Sequence, residues 1–180
     1  LKTELEKNAY AFGRSMIWNN VASEYLRIFN KVVKLREDTI EKYPPIKLDH
    51  LKRLTNNFGV IQFARHSVPE KKSGYTLDDN SRALIVSMLH YNLFKSPLSL
   101  KLSRIYLDFL ERAQEDTGNF KNNFMNKGEI TNPYSEDAFG RAIWALGFTI
   151  NKSDNKEITE KAKKVFEKSW NLIDKLEYTR

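Results

Sequence analysis

The sequence predicts an all-α fold of stacked helical hairpins, and three observations carry that prediction. Apolar residues recur every three or four positions through most of the chain, the spacing of a helix face turned toward a core. Runs alternating with a period of two, the mark of a half-buried strand, are nearly absent. The third observation is a repeat. Tyr75, Asp78, Arg82 and Ala83 followed by Leu84 return 59 residues later as Tyr134, Asp137, Arg141 and Ala142 followed by Ile143. The shared pattern, Y-x-x-D-x-x-x-R-A-[LI], has a period that suits one helical hairpin with its loops, written twice.

Residues 1–12 predict a short helix ended near Gly13. From Ser15 to Glu41, the residues Ile17, Val21, Tyr25, Ile28, Phe29, Val32 and Leu35 trace a long amphipathic helix. Tyr43-Pro44-Pro45 stops it, because proline has no amide donor and restricts its predecessor. That stop divides the chain into an N-terminal helical part, 1–43, and a helical-hairpin domain, 46–180. Asp49 is expected to cap a short helix carrying Leu51, Leu54 and Phe58, and residues 60–63 to be briefly extended. The loop from His66 to Leu77 holds Pro69, Gly74 and two lysines and is expected at the surface. Asp78 or Asp79 then caps a helix containing Ala83, Leu84, Val86, Met88 and Leu89, apolar on all sides and so expected inside. Pro97 begins a helix to Gln114 with Leu102, Ile105, Tyr106, Phe109 and Leu110 on one face. A loop rich in Gly, Asn and Asp follows to Pro133, long enough to be either functional or disordered. Asp137 opens the next helix, expected to end near Gly147. The last helix, 156–176, carries Ile158, Ala162, Val165, Phe166, Trp170 and Ile173.

The 180 residues carry a net charge of +7 and no cysteine, which excludes disulfides and thiolate metal sites. No apolar run approaches the ~20 residues of a membrane span, and no signal-peptide core opens the chain. The expectation is a soluble, cytoplasmic domain. Because the chain opens at Leu1 and stops in a charged helical pattern, the remainder of a longer parent chain is an expected partner. The positive charge raises nucleic acid as a partner, but Lys161, Lys163 and Lys164 sit beside Glu157, Glu160 and Glu167. Lysines dispersed among carboxylates read as solvated helix faces and argue against it. His50, His66 and His90 lack metal-ligand spacing, and no phosphate loop or nucleophile motif is present, so no cofactor or metal is expected.

The run LDHLKRLTNNFGVIQFARHSVPEKKSGYTLDDNSRALIV, followed by DTGNFKNNFM and YSEDAFGRAIWALGF, resembles the helical region attached to family 4 glycosyltransferases in bacterial glycan-metabolism proteins. That region is similar to six-hairpin (α/α)-toroid glycosidase-like domains, and the resemblance covers residues 47–148. Residues 16–25, MIWNNVASEY, look like the last helix of such a transferase. Relatives often carry histidine at the positions of Phe63 and Phe139. Phenyl in place of imidazole removes a donor and an acceptor, which weighs against catalysis and not against the fold.

A toroid gathers the loops entering its inner helices at one end of the cavity. The resemblance therefore implies that Asp78, Asp79, Asn80, Glu136 and Asp137 converge, with Arg82 and Arg141 beside them and Tyr75, Tyr134 and Trp144 available to stack on sugars. Glycoside hydrolysis needs two carboxyl groups across the scissile bond, and Asp79 with Glu136 is the leading pair, since Asp78 and Asp137 belong to the repeat. The plainer account is structural: helix-start aspartates cap, and Asp78–Arg82 and Asp137–Arg141 form i,i+4 pairs. Packing is the default for Trp18, Trp144 and Trp170, and a surface position for His66. Three functions stand open: a glycan-binding module beside a glycosyltransferase, part of a glycosidase-like toroid enzyme, and a helical protein-interaction scaffold.

Overall fold

Seven α-helices and two two-stranded antiparallel sheets make up the described residues, 2–33, 45–125 and 134–175, of the computed structural model. The chain is all-α, and it forms two units, Leu1–Ile46 and Lys47–Arg180.

In the first unit, α1 (Lys2–Ser15) runs through Gly13 rather than ending there. The break comes at Met16, whose amide donates to Gly13 O, and at extended Ile17, the N-cap of α2 (Trp18–Val32). The expected long helix thus starts three residues later than its periodicity suggests, because the apolar pattern does not mark where a backbone turns. Among the described side chains neither helix buries one, and Trp18 is 84% exposed. The expectations for 34–41 and for the Tyr43-Pro44 stop lie outside the described residues.

The second unit is built on two hairpins. Helix α4 (Leu77–Phe94) turns through Lys95, in the left-handed region at φ 50°, into α5 (Pro97–Ala113). Helix α6 (Glu136–Lys152) turns through residues 153–155 into α7 (Lys156–Ser169), which tightens into a 3-10 turn at Trp170–Lys175. Helices α4 and α6 lie side by side and run parallel. Asp78 meets Arg141 at their starts, while Asn92 donates to Lys152 O and Lys95 pairs with Asp154 at their ends. Helix α5 packs behind α4, and α7 packs against both α6 and α5. The result is a two-layer stack of hairpins.

The core explains the stack. Leu84 and Met88 of α4, Tyr106, Phe109 and Leu110 of α5, Ala142 and Leu146 of α6, and Ile158 and Val165 of α7 are all essentially buried. Each large apolar side chain so removed from water contributes about 1.5–3 kcal/mol. Small Ala83, Ala138, Ala142, Ala145 and Ala162 let the helices approach. Gly147 lies inside α6, and the helix continues because Thr149 is buried and Ile150 packs on the core beyond it.

Short segments close the unit around α4. Helix α3 (Asp49–Leu54) has Leu48 as its N-cap, so Asp49 is a first-turn residue and not the cap. Strand β1 (Ala64–Arg65) pairs with β2 (Val68–Pro69), and β3 (Tyr75–Thr76) pairs with β4 (Asn123–Phe124). Extended structure in this stretch thus falls at 64–65, while Val60 makes only an isolated bridge with Thr55. The loop expected at the surface turns inward at its end: Gly74, Tyr75, Thr76 and Leu77 are buried. Gly74 allows this, with φ 76° and the Phe124 carbonyl where a side chain would begin. The long loop after α5 is likewise packed where it is described, with Phe120 2% exposed and stacked edge-on to Phe139. Its remainder, 126–133, lies outside the described residues, as does the last helix beyond 175.

Candidate functional site

The starts of α4 and α6 are made by hydroxyls. Thr76 is the N-cap of α4: its Oγ1 accepts from Asp79 N (3.2 Å) and donates to Asp79 Oδ2 (2.7 Å). The one hydroxyl thus holds both the amide and the carboxylate of the third helical residue. Ser135 does the same work for α6, accepting from Ala138 N at 3.3 Å. The expectation that Asp78, Asp79 or Asp137 caps is therefore corrected. They occupy the first turns, where a carboxylate still gains from the helix dipole.

Freed from capping, the carboxylates are bound to arginines. Asp78 accepts from Arg82, which also reaches Asp79 Oδ1 at 3.1 Å. Arg141 donates through Nε to Asp137 Oδ2 at 2.9 Å and stands 2.8 Å from Asp78 Oδ1, an ion contact whose geometry falls short of a hydrogen bond. The Asp137 hydrogen bond, and after it the charge of Asp78, raise the pKa of Arg141 above its already high value. The two copies of the repeat are thus joined across helices, three carboxylates against two guanidiniums. The i,i+4 pairs expected from the sequence are present, and the cross-helix contact is added to them.

Two of the expected sugar contacts are part of the fold. Tyr75 is 5% exposed, packed on Phe58 and Phe109, with its hydroxyl accepting from Asn56 Nδ2 at 2.7 Å. Asn80 is wholly buried: Oδ1 accepts from Val60 N and Nδ2 donates to Thr76 O, which ties α3's exit to α4. Neither faces solvent, so neither is placed to touch a solute. Tyr134, 43% exposed, is therefore not the counterpart of Tyr75 in environment, although the repeat pairs them. Trp144 and Trp170 are also exposed, correcting the expectation that they pack in the core, because each falls on the outer side of its helix. Glu136 is the first residue of α6, in its first turn with Asp137.

An open cleft of about 440 Å³ lies at the start of α4. It is lined by Gln62, Thr76, Asp78, Asp79, Arg82, Asn122 and Asn123, with Phe63 at its edge. Residues Gln62, Asp79 and Arg82 are shared with an adjoining, more apolar groove of about 430 Å³ that runs along Leu48, Leu51, Leu54 and Val86. The first helix mouth therefore opens on a polar cleft, whereas Glu136, Tyr134 and Trp144 of the second do not line it. Asn122 and Asn123 belong to the long loop, brought here by the β3–β4 pairing and by the Leu77 amide donating to Asn122 O. Sequence reasoning overlooked both amides; their signal was the N-F-K-N-N run in a loop too long for a turn.

Phe139 and Phe63 differ in the same way. Phe139 is core, 1% exposed, and Phe63 is 58% exposed. His66 is exposed with φ 57°, and His90 bonds Ser99 Oγ at 2.6 Å. Among the described residues, no three His, Cys, Asp or Glu side chains gather as metal ligands, and no helix is long and apolar enough to cross a membrane. Comparison with models of known protein families finds no match for this chain, and comparison with curated proteins finds none either.

Proposed function

We propose that this chain is a carbohydrate-binding helical module of a longer glycan-metabolism protein, and that the polar cleft at the start of α4 holds the glycan. One observation carries the reading. Side-chain amides (Gln62, Asn122, Asn123), carboxylates and an arginine converge on one open cleft beside an exposed aromatic ring. Amides both donate to and accept from hydroxyls, carboxylates accept from them, and an aromatic face suits the C–H face of a sugar ring. The stacked hairpins, with parallel α4 and α6 in one layer, are compatible with part of an (α/α) toroid attached to a family 4 glycosyltransferase.

Binding is favoured over glycosidic catalysis because Asp79, one of the leading carboxylate pair, is engaged. Both Asp79 oxygens are used, by Thr76 and by Arg82, and Asp78 is held between two arginines. A general acid needs a proton-bearing oxygen turned to the leaving group. The test is calorimetric titration of the chain with neutral gluco- and manno-oligosaccharides, repeated with Gln62→Ala and Asn123→Ala. Saturable heat that is lost in both variants, with unfolding unchanged, is expected; no heat with any saccharide sinks the proposal.

An interaction scaffold is the second reading, favoured by the exposed Val86, Leu89 and Leu93 on one face of α4 and Trp144 on α6. Chain self-association that Leu89→Lys and Trp144→Lys abolish would support it.

A further inference from the structure

Phe63 combines exposure with a fixed backbone. Its amide donates to Ser73 Oγ at 3.1 Å, and its carbonyl accepts from Glu70 N at 2.8 Å. Ser73 Oγ in turn donates to Glu70 O, so the segment after β2 clasps the Phe63 backbone from both sides. Phe63 is outside the hydrophobic core and is among the residues that line the polar cleft. An exposed ring on a fixed backbone, lining a polar cleft, is placed to meet a solute there.

A second observation comes from the same cleft. Asn122 has its backbone carbonyl fixed by the Leu77 amide, yet its side-chain oxygen is buried with no hydrogen-bond partner among the described residues. A buried acceptor left unmade costs about 1–3 kcal/mol, so a donor from a ligand would be rewarded there. Asp78, Asp79 and Arg82 leave the cleft wall with one excess negative charge, which disfavours uronic acids and sugar phosphates.

We infer that Phe63 is the stacking platform for a neutral pyranose ring whose hydroxyl donates to the Asn122 side-chain oxygen. The inference rests on the glycan reading above and deepens it by naming the sugar class and the residue that selects it. A pyranose offers one apolar C–H face and a rim of hydroxyls, matching an aromatic ring on one side and amides on the other. Phenyl serves this purpose better than a residue that titrates, because stacking needs no proton.

The experiment titrates the full chain with cellotetraose, mannotetraose and tetragalacturonate, and repeats the titration with Phe63→Ala, Phe63→Tyr and Asn122→Ala. At least one neutral tetrasaccharide is expected to saturate the chain, and tetragalacturonate is not. Phe63→Ala should weaken binding by roughly tenfold or more, about 1.4 kcal/mol per decade, while Phe63→Tyr stays within about threefold. Asn122→Ala should also weaken it. Because the ring is exposed, Phe63→Ala is expected to leave the unfolding temperature unchanged, which separates lost binding from lost fold. Neutral-sugar binding that survives Phe63→Ala, or equal affinity for tetragalacturonate, overturns this inference and leaves the glycan reading standing. No binding of any saccharide to the unaltered chain overturns both.

Discussion

Replacing Arg141 by methionine tests the junction between the two copies of the repeat. Methionine keeps most of the apolar stem and deletes the guanidinium. The side chains of Arg141 and Asp78 are 29% and 26% exposed, so their contact is shielded from water more than a surface pair is. Two unit charges about 4 Å apart at an effective dielectric of about 20 attract by about 4 kcal/mol. Desolvation and side-chain ordering offset most of that, leaving about 1 kcal/mol for the cross-helix contact. The i,i+4 pair with Asp137, whose side chain is 48% exposed, adds only about 0.3–0.5 kcal/mol. Arg141→Met should therefore cost about 1.5 kcal/mol, or about 3–6 °C in the unfolding midpoint of a unit this size. Urea unfolding of Arg141→Met, Asp78→Asn and the double variant measures the coupling directly. A coupling near 1 kcal/mol is expected, even though Asp78 retains Arg82 in the single variant. Additive effects, with coupling below about 0.3 kcal/mol, would refute the claim that Arg141 joins α4 to α6.

Thr76→Val keeps the shape of the α4 cap and removes both of its bonds to Asp79, so thermal unfolding should show a loss of about 1 kcal/mol. Ser135→Ala should cost a similar amount, whereas Asp137→Asn should cost less than either. Gly74→Ala is expected to destabilise by about 2–3 kcal/mol, since φ is 76° and the new Cβ meets the Phe124 carbonyl. Gly140→Ala has open space inside α6 and should instead stabilise by about 0.5–1 kcal/mol. Equal effects of the two glycine changes in urea would contradict the assigned backbone. Burial pushes the Tyr106 phenol up to about 12, while its hydrogen bond with Thr55 works the other way. The folded pKa lies above the unfolded one, so stability is fully present below about pH 10 and is lost as pH rises through about 12. A loss on the order of 2 kcal/mol over that interval is expected, and Tyr106→Phe should flatten it.

Legibility followed the range of the interaction. Apolar periodicity located α4, α5, α6 and α7, because a helix face is written within a few residues. The all-round apolar content of α4 overstated its burial: it packs on both α5 and α6 through Ala83, Leu84 and Met88, but Val86, Leu89 and Leu93 are exposed. Helix ends were less readable: Gly13 and Gly147 look like stops but lie inside helices, since an isolated glycine weakens a helix without ending it. The caps were legible in principle. Thr76 and Ser135 follow Tyr75 and Tyr134 at the repeat spacing, but the aspartates beside them are capping residues of equal standing by type.

The environment of Tyr75 was not legible, because its burial depends on Phe124 pairing from 49 residues away. The same long-range pairing delivers Asn122 and Asn123 to the cleft. A local pattern contains the Asp78–Arg82 pair but cannot contain Asp78–Arg141, which exists only once α4 and α6 lie parallel.

Whether a glycan occupies the cleft at the start of α4 is decided by mapping amide chemical shifts of the isotopically labelled chain during titration with neutral tetrasaccharides. Saturable changes are expected at Gln62, Phe63, Thr76, Asp79, Asn122 and Asn123, with the faces of α5 and α7 silent. Saturable changes centred instead on Leu89, Leu93 and Trp144, or a spectrum unmoved by every saccharide, would contradict that occupancy.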